Sequence, residues 1–412
     1  MSFSEWKEVK LGDVCDVNKS SYSVSDNWEF INYLDTGNIT ENKIASIQYL
    51  NTNVDKIPSR AKRKVNANDI IYSTVRPNQK HYGIIKCPLE NMLVSTGFTV
   101  ITGMMGKAES EYLYYYLSQQ NIIEMLHAIG EHSTSAYPAI KASDIEDIKL
   151  LMPPLPEQKN IAATLSCLDE KIELNNLINK TLEEMAQAIF KSWFVDFEPF
   201  QDGEFEDSEL GMIPKGWRVD SIDHCTSLVT RGITPKYADI SDQYVINQKC
   251  IRNGSLSTTL SRTHYSVVNK EKMLQFGDIL INSTGVGTLG RVAQVYEDLE
   301  NYTADAHVTI VRPNTTNKMS YMGCLLKNMQ PKFEHAGTGS TGQTELGRDA
   351  IKQMQILVPN DSVLEEFSKI YDSIYRKIVC GQKETILVSN MRDKILPKLM
   401  SGEIRVPIQE VQ

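Results

Sequence analysis

The sequence predicts an α+β chain made of two similar globular α/β domains, separated by two long antiparallel helices that form a coiled coil about an internal pseudo-twofold. Three observations carry this. An apolar seam at coiled-coil spacing runs through residues 156–195. A second seam, 206 residues further on, closes the chain. The segments ahead of the two seams also match each other, so the plan is a module and a long helix, twice.

The first seam steps 4-3-4-3 through Ile161, Leu165, Leu168, Ile172, Asn175, Asn179, Leu182, Ala186, Ile189 and Trp193. This spacing keeps one stripe of a helix facing a partner. Its copy runs through Phe367, Tyr371, Ile374, Ile378, Gly381, Thr385, Val388, Arg392, Ile395 and Leu399. Both seams are apolar at the ends and interrupted in the middle, and two matching long seams in one chain predict an antiparallel pair. Buried Asn in such a seam fixes register at some cost in stability. Forty helical residues span roughly 60 Å, so each helix is a rod that can hold two bodies apart.

Ahead of the helices, residues 145–154 (IEDIKLLMPP) match 351–360 (IKQMQILVPN) at the same offset. Further upstream the offset drifts, as loop insertions require. Residues 68–74 (NDIIYST) correspond to 277–284 (GDILINST), 98–101 to 308–311, and Trp6 to Trp217. These short β-branched runs bounded by Asn, Gly and Asp predict strands. Residues 110–125 and 320–333 predict one helix each, opening at an N-capping Ser. Tyr112, Tyr114, Tyr115 and Tyr116 are expected to pack in the core. The boundaries follow: a first domain at 1–152, a central long helix at 153–200, a second domain at 201–358, and a C-terminal long helix at 359–412 pairing with the central one.

The chain has 412 residues, 41% hydrophobic and 23% charged, the make-up of a soluble globular protein of more than one domain. No apolar run has the length of a membrane span, and the first residues lack a signal-peptide pattern, so a cytoplasmic location is expected. The seven Cys and seven His show no ligand spacing; reduced thiols and no metal site are expected. The net charge of −9 argues against a uniformly basic nucleic-acid binder. The charge is uneven, however. Lys56, Arg60, Lys62, Arg63, Lys64, Arg76, Lys80 and Lys86 stand against Asp69 alone, a local footprint for a polyanion. The acidic residues of 196–209 predict a solvated linker.

Motifs of catalysis are missing. There is no GxxxxGK[ST], no Asn-Pro-Pro-aromatic, no GxSxG and no HExxH. Residues 285–290 spell GxGxxG, but Arg291 to Val295 read as a strand where a dinucleotide site needs a helix, so a glycine-rich hairpin loop is expected. Asp169 and Lys171 read as ordinary surface charges of the long helix. No nucleophile, base and orienting group assemble, and no catalytic residue is assigned.

What remains is recognition chemistry on loops. Arg pairs bidentately with guanine, Asn and Gln with adenine, and Ser and Thr reach phosphates. In the first module the DNA-binding candidates are Arg60, Lys62, Arg63, Arg76, Lys80, His81 and Tyr82, with Ser133, Thr134, Ser135 and Tyr137. In the second they are Arg231, Thr234, Lys236, Tyr237, Arg252, Asn253, Thr284, Arg291 and His307, with Thr338, Ser340, Thr341 and Gln343. The sets recur at matched places in both halves.

The chain resembles the specificity (S) subunit of Type I restriction–modification enzymes. The residues that carry the resemblance are Pro-Pro-Leu-Pro-Glu-Gln at 153–158, Ser-Trp-Phe-Val-Asp-Phe-Glu-Pro at 192–199 and Leu-Gly-Met-Ile-Pro-Lys-Gly-Trp at 210–217. To these add Ser-Arg-Ala-Lys-Arg-Lys at 59–64 leading into 68–77, where Asn68 stands in place of the family's frequent Gly. Arg-Gly-Ile-Thr-Pro at 231–235 and Gly-Asp-Ile-Leu at 277–280 repeat the pattern. The second helix departs most: Val358-Pro-Asn-Asp-Ser lacks the Pro-Leu-Pro-Glu-Gln wording, and Gly381 interrupts its seam.

The resemblance implies that each globular module is a target-recognition domain reading one half of a split DNA site. It implies that the helices set the spacing and dock two methyltransferase (M) subunits, and that a motor–nuclease (R) subunit joins them. S-adenosylmethionine, ATP and Mg would then sit on those partners, with no cofactor and no catalysis in this chain. The M subunits would flip adenines, and the modules would grip the flanking phosphates. Because the loops of the two halves differ, an asymmetric, bipartite target is expected. The alternatives are the specificity subunit of a solitary methylation system without nuclease, a self-contained methyltransferase or nuclease, and a scaffold with no sequence preference.

Overall fold

The structure is a computed structural model that describes residues 5–132, 137–339 and 344–406. The chain forms two compact units: Met1–Leu174 with Thr385–Gln412, and Asn175–Glu384. The two long helices, Leu155–Phe194 and Asp361–Ser401, each give one half to each unit. All the seam positions read from the sequence are buried or half-buried.

In the first unit one antiparallel sheet runs Cys15–Val17, Phe98–Gly103, Asp69–Ser73, Tyr82–Ile85. A second sheet runs Gln48–Asn51, Phe30–Leu34, Met92–Ser95, Ala61–Lys64, and its central pair is parallel. A two-stranded ribbon, Lys7–Lys10 with Lys149–Met152, leads into the long helix. The core joins Leu11, Ile70, Tyr72, Tyr112 and Leu113 to Ile161 and Leu165 of the first long helix and Leu399 and Met400 of the second. The antiparallel pairing is therefore visible within this unit: the start of one helix packs with the end of the other.

The second unit repeats the plan. One antiparallel sheet runs Thr226–Arg231, Val308–Pro313, Ile279–Asn282, Val292–Gln294. Another runs Arg262–His264, Gln243–Ile246, Tyr302–Ala304, with its last pair parallel. Arg218–Ser221 pairs with Gln355–Val358 before the second helix begins. Here the helix ends meet through aromatics: Phe194 lies 4.8 Å from Phe367 and 4.7 Å from Tyr321, ring centre to ring centre.

Gly381 does not break the second long helix. A Cβ there would lie 2.5 Å from Asn179 Oδ1, so the glycine makes room for the buried Asn179 opposite it. Asn175 donates to Glu384 at 2.9 Å, which ties the polar middle of this seam in one register.

Four expectations change. The helix predicted for 110–125 is two, Ser110–Leu117 and Gln120–Glu131. Gln119 is extended, and Ser118 and Gln119 turn their side chains onto the carbonyls of Tyr115 and Tyr116, which ends the first helix. Its N-cap is Glu109, not a Ser. The 320–333 helix is likewise two, Met319–Asn328 and Gln330–His335, the second starting with Pro in its first turn. The acidic stretch is not a plain linker: Phe205–Ser208 pairs with Gly211–Pro214, and Phe197 and Phe200 pack on Trp217. Asp169 is no loose surface charge; it accepts from Tyr115 at 2.7 Å and pairs with Arg392 at 2.6 Å across the helix pair.

Candidate nucleic-acid interface

The central sheets of the two modules end in loops held by the same backbone bonds. In the first module Thr74 N–H donates to Gly97, Ser73 N–H to His81, and Ile140 N–H to Thr74, each at 2.8 or 2.9 Å. In the second, Ser283 N–H donates to His307, Asn282 N–H to Arg291, and Leu346 N–H to Ser283, again at 2.8 or 2.9 Å. Val75 bridges Ala139 as Thr284 bridges Glu345. This lattice aligns His81 with Arg291, Gly97 with His307, and Arg76 with Gly285.

The strands also start alike. Asn68 has φ of 67° and Gly277 of 90°, so the position demands a left-handed residue, which Gly and Asn supply most readily. Asp69 and Asp278 follow, both 1% exposed, and each accepts the N–H of the residue three before it. Asp69 takes a bond from the Thr102 hydroxyl at 2.6 Å, whereas Asp278 takes two from the Arg312 guanidinium at 2.7 and 2.8 Å.

In the first module Arg60 and Lys62 are exposed at the start of Ala61–Lys64, and Arg63 is half-buried. Thr96 N–H donates to Arg60, and Thr74 reaches Gly97, so the short turn at 95–97 brings the basic strand beside the Arg76 loop. Arg76 lies over the ring of Tyr137 at 4.5 Å. Lys80 pairs with Glu41 at 2.8 Å, and His81 Nδ1 sits 2.5 Å from the Ile39 carbonyl. Tyr82 is a correction: it is 5% exposed and stacks on Tyr72 in the core, because its strand position points inward.

In the second module Thr284 Oγ1 lies 2.8 Å from His307 Nδ1 and accepts from Gln248 Nε2 at 3.0 Å, with Asp305 accepting the His307 N–H at 2.9 Å. Arg291 donates to the Gly287 carbonyl at 2.7 Å within the glycine-rich hairpin loop, as expected. Thr338 pairs through its backbone with Glu345. Arg231 is a second correction. Its guanidinium is spent on Glu345, on the Leu346 carbonyl and on the Ala306 carbonyl, and its side chain is 16% exposed. Burial pushes its pKa down, against the pull of Glu345. It braces the loops.

Thr234, Lys236 and Tyr237 lie exposed on the segment after Gly232, where a Cβ would come within 2.0 Å of the Ala304 carbonyl. Arg252 and Asn253 form the tip of a tight hairpin, Ile251–Arg252 with Ser255–Leu256; Asn253 and Gly254 both have positive φ. The candidates Ser133, Thr134, Ser135, Ser340, Thr341 and Gln343 lie outside the described residues.

Sequence reasoning missed three polar residues here: Gln248, Glu345 and Arg262. Gln248 orients Thr284, Glu345 holds Arg231, and Arg262 lies over Tyr237 at 3.4 Å. Each meets its partner through tertiary folding across 25 residues or more, so no local pattern marks them. Among the described residues no group of three His, Cys, Asp or Glu could hold a metal ion, and no helix is long and apolar enough to cross a membrane.

Comparison with known proteins agrees with this architecture. Residues 3–184 match the family described as the Type I restriction modification DNA specificity domain. The chain is 24% identical to the specificity subunit of the Type I restriction enzyme HindI of Haemophilus influenzae, over 97% of this chain and 100% of that one. It is 27% identical to the specificity subunit of the Type I restriction enzyme MjaIX of Methanocaldococcus jannaschii, over 97% and 93%. The fold is shared with a crystal structure of the S subunit of a Type-I restriction-modification system from M. genitalium, with a TM-score of 0.62 at 15% identity over 97% and 96% of the two chains.

Proposed function

We propose that this chain, a relative of Type I restriction enzyme specificity subunits along its whole length, is the non-catalytic DNA-sequence-specificity subunit of a Type I restriction–modification complex. Residues 1–152 and 201–358 each read one half of an asymmetric, bipartite target in double-stranded DNA. The helical segments 153–200 and 359–412 set the gap between the halves and dock two methyltransferase subunits, which a motor–nuclease subunit joins. S-adenosylmethionine, ATP and Mg belong to those partners.

The observation that carries the reading is the matched loop lattice. Two modules hold the same backbone bonds at the ends of the same strands and present different side chains on them. That is the arrangement expected of two readers of unlike half-sites: a fixed frame positions on phosphates, and the variable side chains meet base edges. The surfaces of the long helices support partner docking. Leu174, Leu177, Ile178 and Met185 on the first, and Ile386, Leu387 and Met391 on the second, are apolar and exposed.

The test is selection from a random duplex library by the chain assembled with its methylating subunits. The expected result is two defined blocks of bases at one fixed gap. Enrichment independent of sequence, lost uniformly with salt, would favour a scaffold instead. Crosslinking of S-adenosylmethionine to this chain alone would overturn the non-catalytic assignment.

A further inference from the structure

Most arginines that the structure shows engaged are bound to carboxylates: Arg231 to Glu345, Arg312 to Asp278, Arg392 to Asp169 and Arg405 to Glu157. Two differ. Arg76 in the first module and Arg262 in the second lie over a tyrosine ring, at 4.5 Å from Tyr137 and 3.4 Å from Tyr237. Neither guanidinium forms an ion pair or donates a hydrogen bond among the described residues. A guanidinium that rests over a ring and makes no ion pair keeps its donor edge open. That edge is the two-donor fork that matches guanine O6 and N7.

The backbone at Arg76 adds a second argument. Its φ is 48°, and the aligned residue of the second module is Gly285 with φ of 101°. The loop therefore requires a left-handed residue at this point, and a side chain with a Cβ is disfavoured there. The Arg76 N–H is fixed by the Pro138 carbonyl at 2.9 Å, and Pro77 follows. A long cation held in a conformation suited to glycine, over a ring and without an ion pair, points to function more than to stability. The exposed Arg60 and Lys62 stand next to it, across the 95–97 turn, as phosphate contacts. Arg262 sits at the start of the edge strand Arg262–His264, and its platform Tyr237 is held by a bridge to His264 in the same strand.

We propose that Arg76 and Arg262 are the guanine-reading side chains of the first and the second module. This rests on the specificity-subunit reading and deepens it: each half of the target contains a guanine that one ring-supported arginine selects.

The experiment maps methylated sites on genomic DNA for the wild-type complex and for complexes carrying Arg76→Gly or Arg262→Gln. Gly suits the left-handed backbone at position 76, so that variant keeps the fold, and thermal melting of the purified chain checks this. Arg76→Gly is expected to make one guanine position of one half-site degenerate, with its preference over other bases falling about tenfold or more. The other half-site stays intact. Arg262→Gln is expected to do the same in the other half. If both variants keep the wild-type motif at full stringency, the proposal is overturned. A uniform loss of methylation at all sites by a folded variant also overturns it, because that marks a phosphate contact. A wild-type complex with no split motif would sink the functional reading itself, which separates the two failures.

Discussion

The two modules share a backbone and differ in what fills it, and the buried aspartates show the difference most plainly. Asp69 and Asp278 open equivalent strands, are equally buried and accept equivalent backbone N–H groups. The first is satisfied by a hydroxyl, the second by a guanidinium. Burial pushes the Asp278 carboxyl up, and Arg312 pulls it back. The lesson is that this frame tolerates either a neutral or an ionic solution at one point. Surface loops under still weaker constraint can diverge further, which is what two readers of unlike sequences need.

The sharpest way to break the comparison is to remove each partner. Arg312→Ala leaves an uncompensated buried carboxylate and should cost about 3–5 kcal/mol. Thr102→Ala should cost about 1 kcal/mol. Hydrogen exchange in the strands Ile279–Asn282 and Asp69–Ser73 reads each module separately. Equal losses would mean that the two carboxylates are held alike.

The left-handed step before these aspartates gives a smaller contrast. Gly277→Ala puts a Cβ 2.5 Å from Met319 Sδ at a φ of 90°, and should destabilise the second module by about 1–3 kcal/mol. Asn68→Gly should change the first module by no more than about 1 kcal/mol, in the stabilising direction. Thermal unfolding of the two variants decides it. A loss on Asn68→Gly would show that the Asn side chain holds the turn.

Acid should separate the modules as well. His264 is fully buried, accepts the Ser266 N–H at 3.1 Å, and burial holds its pKa below 6.5. The unfolded chain takes up the proton first as pH falls. The contribution is thus complete above about pH 6.5 and lost below it, by at most about 1.4 kcal/mol per pH unit. The second module's exchange protection should fall between pH 6.5 and 5, and His264→Asn should flatten that fall. A slope unchanged by the substitution would assign it elsewhere.

The smallest effect is chemical. Burial pushes the thiols of Cys15 and Cys324 up to about 12, one in each unit, while Cys87, Cys167 and Cys380 are exposed. Alkylation of the folded isolated chain at pH 8 should label those three exposed thiols and spare Cys15 and Cys324. Labelling of Cys15 ahead of Cys324 would show the first core to be the looser one.

The sequence made the seams and the repeat legible because both are periodic: helical spacing and a constant offset survive without knowledge of the fold. Asn68 and Gly277 were legible for the same reason, as small residues at a matched turn. What escaped was non-local. Arg231 looks like any loop cation until Glu345 and two carbonyls enclose it. Arg262 and Tyr237 are separate polar residues until a strand brings them together. Tyr82 failed for a different reason. It follows a basic loop, but the alternation of its strand turns it into the core beside Tyr72. The breaks at Gln119 and Pro331 were hidden inside runs of good helix pattern, where side chains capping carbonyls or a proline's missing N–H decide the end.

The central claim, two readers on one chain that does no chemistry, is tested most directly by expressing the protein with and without its methylating subunit in a host that lacks adenine methylation. Single-molecule sequencing then maps modified bases. The account predicts a single split motif with a fixed gap and unlike halves, present only with the partner. Methylation by this chain alone, or a continuous or palindromic motif, would contradict it.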